Sequence, residues 1–254
     1  MRWLGGLGLA VAALVCAGCA GAGESSPADA AKPAKQVEPA AAAAEPAAPE
    51  TPKASKHTPR LLLPPAPRHG PAYLVAEIRK PLKTPFGTVH ERTQFRQQVW
   101  VPVLRRHGDH GRLLVPLGTH GRVVGVSLVG FKLRWRKVRV VIDLSADTMV
   151  VRDGRRMLGA FPVGKGAPAT PTPTGRFFVT DRLLFPSGSP YAPFAVGLSA
   201  HVAQLPSSWM GGDQVAIHPG TFGAVSHGCI HAGMKAIRLL ERRVGMGTLV
   251  TIKA

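Results

Sequence analysis

Cysteine is scarce: Cys16, Cys19 and Cys229 are the chain's three. Two of them fall in an N-terminal stretch that reads as an export signal, which leaves Cys229 as a lone thiol with no intramolecular partner and excludes a disulfide framework. Acidic residues are also few, 14 Asp and Glu against 32 Lys and Arg, for a formal charge of +18. Such an excess raises nucleic acid as a partner, because Lys and Arg bind phosphates by releasing counterions. Long apolar runs are missing too. The run from Leu7 to Val15 is shorter than the ~20 residues of a membrane-spanning helix.

What is present at the N-terminus is a different signal. Residues 1–19 carry a positive start at Arg2, the apolar run and small residues at the end, a secretory pattern. Cys16-Ala17-Gly18-Cys19 resembles a bacterial lipoprotein cleavage site, which would make Cys19 the lipidated first residue. A simple cleavable signal is the alternative. Either one implies export, to a membrane-anchored or a secreted cell-wall location. Export removes nucleic acid from reach and leaves lipid head groups or anionic wall polymers as partners for the basic surface.

Residues 20–69 are dominated by Ala, Pro, Lys and Glu. Such a stretch cannot bury enough apolar surface to offset its ordering entropy, so it is expected to be a disordered, semi-extended linker. Residues 70–134 then show short apolar runs, YLVAEI, VWVPVL and RLLVPL, between Gly and Pro punctuation, the pattern of a small β-module. Beyond residue 135, Val138, Val140, Ile142 and Leu144 alternate with other residues as in a half-buried strand, and Asp153-Gly154 separates two apolar runs as a hairpin turn. Residues 232–244 predict one substantial helix with Met234, Ile237, Leu240 and Val244 on its apolar stripe and Gly245 as its stop.

The segment AIHPGTFGAVSHGCIHAGMKA, residues 216–236, concentrates the chemistry. A thiol is a good nucleophile only as its thiolate, so a catalytic Cys229 needs a basic partner close by. His218, His227 and His231 are candidates. If residues 227–231 are extended, His227, Cys229 and His231 share one face and Ile230 takes the other. The following helix would add an N-terminal dipole that favours an anionic sulfur. The same four side chains could instead ligate zinc, although their spacing matches no common structural zinc pattern.

Ser226-His227-Gly228-Cys229, the upstream His218 and the earlier Thr172-Pro173-Thr174-Gly175-Arg176-Phe177 together resemble the YkuD-type L,D-transpeptidase catalytic domain. The resemblance implies a mainly β fold: a YkuD-type β-sandwich over 135–254 with one main helix, preceded by a small SH3-like β-module. It makes Cys229 the nucleophile and His218 the base that pairs with it, with the Pro219 carbonyl orienting that imidazole. Gly228 and Cys229 would offer N–H groups to the oxyanion, with His227 shaping that pocket. Ser226, His231, Thr174, Gly175, Tyr191 and Trp209 are the candidate substrate contacts.

The implied substrates are peptidoglycan stem peptides joined by 3→3 cross-links, or stem peptides to which a protein or amine is attached. The implied reaction uses no metal and no organic cofactor, and carbapenems acylate the cysteine. An L,D-carboxypeptidase using water, or a non-catalytic wall-binding lipoprotein, are the alternatives. Two departures from the family pattern stand out: His231 replaces the usual Arg or Asn, and the interval from His218 to Ser226 is short.

Overall fold

The computed structural model describes residues 60–254. The expected signal over 1–19, the lipidation position Cys19 and the linker up to residue 59 lie outside the described residues. Seven strands come first: β1 (Tyr73–Glu77), β2 (Leu82–Thr84), β3 (Gly87–Val89), β4 (Trp100–His107), β5 (His110–Val115), β6 (Arg122–Ser127) and β7 (Lys132–Arg136). Five of them form an antiparallel sheet in the order β6-β5-β4-β1-β7, with β2 and β3 as a separate hairpin. Gly108 and Asp109 form the tip between β4 and β5.

The second part holds β8 (Val138–Asp143), β9 (Thr148–Asp153), β10 (Arg156–Gly166), β11 (Gly175–Leu184), β12 (Phe194–His201), β13 (Gln214–Pro219), β14 (Gly223–Ser226), β15 (Ile230–Ala232), α1 (Met234–Arg243) and β16 (Leu249–Lys253). The strand order is β14-β10-β15-β13-β12-β11-β16-β8-β9, and β9 pairs again with β10, so the sheet closes on itself. Two strands make this possible by changing partners midway. Residues 156–162 of β10 pair with β9, and its Val163 and Gly164 pair with β15. Gly175–Phe178 of β11 pair with β16, and its later residues pair with β12. The result is a two-layered β-sandwich with one helix among the described residues, the mainly β class the sequence predicts.

Local patterning explains the layers. Val140 and Ile142 of β8 enter the core as their alternation requires. β11 is different: Phe177, Phe178 and Val179 are all fully buried. A continuous apolar run of this kind marks a strand covered on both faces. Phe177 joins Val196, Ile217 and Ile230 in the sandwich core, whereas Phe178 joins Val101 and Leu113 of the first sheet. At ~1.5–3 kcal/mol for each buried aromatic or aliphatic side chain, this strand fastens both cores together. The helix buries Ala236, Ile237 and Leu240, while Met234, expected on the apolar stripe, is 41% exposed. Met234 opens the first turn, so it lies at the rim of the face that α1 presents to the sandwich. Among the described residues no helix is long and apolar enough to cross a membrane.

Candidate active site

The Ser226–Cys229 segment links β14 to β15 as a tight turn, not as an extended strand. Gly228 has φ +95°, and a Cβ there would stand 2.3 Å from Val202 Cγ2, so only glycine fits. The turn's carbonyls are held from below by the segment 166–172. Thr172 Oγ1 donates to the Gly228 carbonyl at 3.0 Å and accepts the Gly166 N–H at 2.8 Å. The Ser226 carbonyl accepts from Thr170 Oγ1 at 3.0 Å and from the Ala167 N–H at 2.8 Å. Ser226 Oγ closes the turn by donating to the Cys229 carbonyl at 2.6 Å.

This turn corrects the single-face arrangement expected for residues 227–231. The bend at Gly228 sends His227 outward, where it is exposed and stacks on Trp209 with ring centroids 4.2 Å apart. Ile230 enters the core as expected. His231 turns toward His218, at 4.8 Å between centroids, and its Nδ1–H donates to the Thr221 carbonyl at 2.8 Å. The described residues contain no group of three or more His, Cys, Asp or Glu arranged to hold a metal.

Strand β13 supplies the partner groups. Its residues Ala216 and His218 lie two apart and so share one face. The Ala216 N–H donates to Cys229 Sγ at 3.5 Å. His218 Nδ1 lies 2.8 Å from the Pro219 carbonyl. A carbonyl can only accept, so Nδ1 carries the proton and Nε2 keeps its lone pair, the tautomer of a base. Tyr191 packs edge-on against the same imidazole at 4.7 Å and against Phe185 at 5.2 Å.

Electrostatics hold both the imidazole and the thiol neutral in the free protein. Burial pushes the His218 imidazole down to about 4; the Pro219 hydrogen bond opposes that fall and nearby His231 adds to it. Burial likewise pushes the Cys229 thiol up, against the pull of the Ala216 N–H. The expected help from a helix dipole is absent because β15 intervenes between Cys229 and α1. No Lys or Arg lines the cavity around the sulfur.

That cavity, about 230 Å³, is walled by Cys229, His227, Trp209, Tyr191, Phe185 and Gln214, with Gln94 and Phe95 contributed from the first part of the chain. Larger clefts exist elsewhere, but this one contains the thiol. Gln94 and Phe95 have no signal in the sequence, since the contact joins distant segments. Their loop is docked by three side chains. Thr93 Oγ1 donates to Asp181 Oδ1, Gln94 Nε2 donates to Gln214 Oε1 at 3.1 Å, and the Gln97 amide both donates to the Arg182 carbonyl (2.8 Å) and accepts its N–H (3.1 Å). Gln97 thereby satisfies the backbone of β11 as a neighbouring strand would.

Two expected contacts lie elsewhere. Thr174 lines a different cavity of about 300 Å³ beside His120 and His201, and Gly175 is paired with Ile252 at the start of β11. Within the same motif it is Thr172 that reaches the Ser226–Cys229 turn, by way of Gly228.

Residues 137–252 match the family model of the YkuD L,D-transpeptidase catalytic domain. The Bacillus subtilis protein YkuD is 30% identical over 118 residues, covering 44% of this chain; the chain spans 64% of that curated relative's length. Among solved structures, an L,D-transpeptidase from Mycobacterium smegmatis is 22% identical, with 54% of this chain and 69% of that one covered and a TM-score of 0.36. Mycobacterium tuberculosis L,D-transpeptidase 1 is 24% identical, with 61% and 76% covered and a TM-score of 0.35. It is over residues 137–252 that the chain is similar to the YkuD-type L,D-transpeptidase catalytic domain family.

Proposed function

We propose that the protein is an exported peptidoglycan L,D-transpeptidase that forms 3→3 cross-links through a Cys229 thioester. The observation that carries this reading is the placement of a lone thiol in a walled cavity, on the face of the strand that bears an imidazole fixed in the base tautomer. Around that domain we assign residues 1–19 to an export signal with lipidation at Cys19, 20–69 to a spacer and 70–134 to an SH3-like module.

The chemistry follows from a neutral pair. As Cys229 Sγ attacks the carbonyl that precedes the terminal D-residue of a tetrapeptide stem, its proton passes to His218 Nε2. The ion pair forms in that step and needs no thiolate beforehand. The Gly228 and Cys229 N–H groups receive the developing oxyanion, and the turn beneath them is already fixed, so little reorganisation is required. Collapse breaks the C–N bond, His218 returns its proton to the departing D-Ala amine, and a thioester remains. The amine of a second stem then attacks, gives its proton to His218, and expels the sulfur, which recovers that proton as the thiol. His231, Tyr191 and Trp209 border the reacting centre and position the stems.

Incubation with a tetrapeptide stem tests this reading. Wild type is expected to release D-Ala and to yield a dimer with the mass of a 3→3 link. Cys229→Ala is expected to do neither while keeping its thermal unfolding midpoint, because it removes a nucleophile and little volume. D-Ala release without dimer would assign a carboxypeptidase, and unchanged release by Cys229→Ala would remove the nucleophile assignment.

A further inference from the structure

The hairpin of β4 and β5, with the adjoining β6, lines a cleft of about 610 Å³ that carries Arg105, Arg106, His107, His110 and Arg112 over a floor including Gly125. It shares no lining residue with the Cys229 cavity. We propose that this cleft is a binding site for an extended phosphate-bearing polymer. The proposal does not depend on the catalytic reading.

Cross-strand register makes the charge concentration costly. Arg105 stands directly opposite Arg112, and His107 opposite His110. Two arginines directly opposite one another destabilise a sheet. Residues 105 to 110 are all exposed, so both Arg105 and Arg106 stand in solvent at the end of the hairpin. None of the ion pairs among the described residues involves these arginines or Asp109 at the hairpin tip. The repulsion is therefore left for a ligand to offset, and guanidinium groups match phosphate oxygens in forked, charge-assisted pairs.

Gly125 gives the second observation. It lies within β6 opposite Arg112, where glycine weakens a strand. A Cβ at 125 would meet nothing within 4 Å, and the residue is not among those with positive φ, so neither packing nor backbone conformation calls for glycine there. Gly111 is the contrast, since a Cβ there would strike Leu128 at 2.8 Å. The missing side chain at 125 leaves room on the cleft floor for a chain to approach the backbone between the arginines. Val126 is the one aliphatic side chain lining the cleft, with no Leu, Ile, Phe, Trp or Met beside it, which favours a soluble polymer over a lipid surface.

Calorimetric titration of the full chain with short-chain inorganic polyphosphate, across a range of salt, tests the site. Arg105→Ser with Arg112→Ser is expected to lower affinity roughly tenfold and to reduce the salt slope by about two. Gly125→Val, which keeps the charge and suits a strand, is expected to weaken binding several-fold with an unfolding midpoint no lower than that of wild type. The charge-matched control Lys235→Ser with Arg238→Ser, both exposed on α1, is expected to stay near wild type. Equal losses in the control and the arginine pair, or wild-type binding by Gly125→Val, would overturn the proposal in favour of diffuse surface charge. So would tighter binding to phosphatidylglycerol vesicles that survives the arginine substitutions.

Discussion

His218 links the state of the site to pH. Its folded value of about 4 lies below the ordinary imidazole value of 6.5, so between those two values the unfolded chain binds the extra proton. Stability is therefore fully present above about 6.5 and is lost as pH falls toward 4, by roughly 2–3 kcal/mol. Urea unfolding of wild type and His218→Gln at a series of pH values checks this: the slope is expected to flatten in the variant. The same neutral imidazole predicts an acid limb of kcat/KM with its midpoint near 4. A limb near 6.5 would mean that the free enzyme does not hold His218 neutral by burial. Thr172 is the second sensitive residue. Thr172→Val removes the donor to Gly228 and the acceptor for the Gly166 N–H, leaving buried backbone groups unpaired at ~1–3 kcal/mol. Circular dichroism melts and D-Ala release are both expected to report the loss, because the turn presenting Cys229 rests on that hydroxyl.

The loop between β3 and β4 shows how one element serves a site built mostly by others. It brings Phe95, 46% exposed, to the wall of the Cys229 cavity and anchors itself on Asp181, Arg182 and Gln214. Phe95→Ala is expected to raise KM for the stem peptide several-fold with kcat little changed, since the ring touches the cavity and carries no proton or charge for the reaction. Steady-state kinetics separate the two parameters, and a fall confined to kcat would contradict this role. No periodicity could reveal the loop's part, because its contacts are long-range. What depends on neighbours in sequence was readable: the alternation of β8, the turn at Asp153-Gly154 and the helix after residue 232. The 227–231 segment was misread because a positive φ at Gly228 breaks the two-residue period. In the segment from Thr170 to Gly175 the inward-facing threonines are Thr170 and Thr172, while Thr174, the expected contact, lines another cavity.

At the scale of the whole molecule, one buried hydroxyl joins the two sheets. Tyr73 of β1 donates to the Val138 carbonyl at 2.7 Å and accepts the Leu249 N–H at 2.8 Å, and burial pushes its phenol up to about 12. Tyr73→Phe keeps the ring but leaves the Leu249 N–H without its acceptor, an expected loss of about 1–3 kcal/mol in the unfolding of both sheets. Phe178 and Tyr73 together make the first sheet a support for the second, and the loop carrying Phe95 is fixed by its bonds to Asp181, Arg182 and Gln214. The cavity around Cys229 is thus a product of both parts of the chain, whereas the thiol and the His218 imidazole come from the second part alone. The central claim is that Cys229 is the acylated nucleophile, and intact-mass spectrometry of the full chain after exposure to a carbapenem tests it most directly. The expected result is one adduct per chain, mapped by peptide digestion to Cys229 and lost in Cys229→Ala; an adduct on another residue, or its persistence in Cys229→Ala, would contradict it.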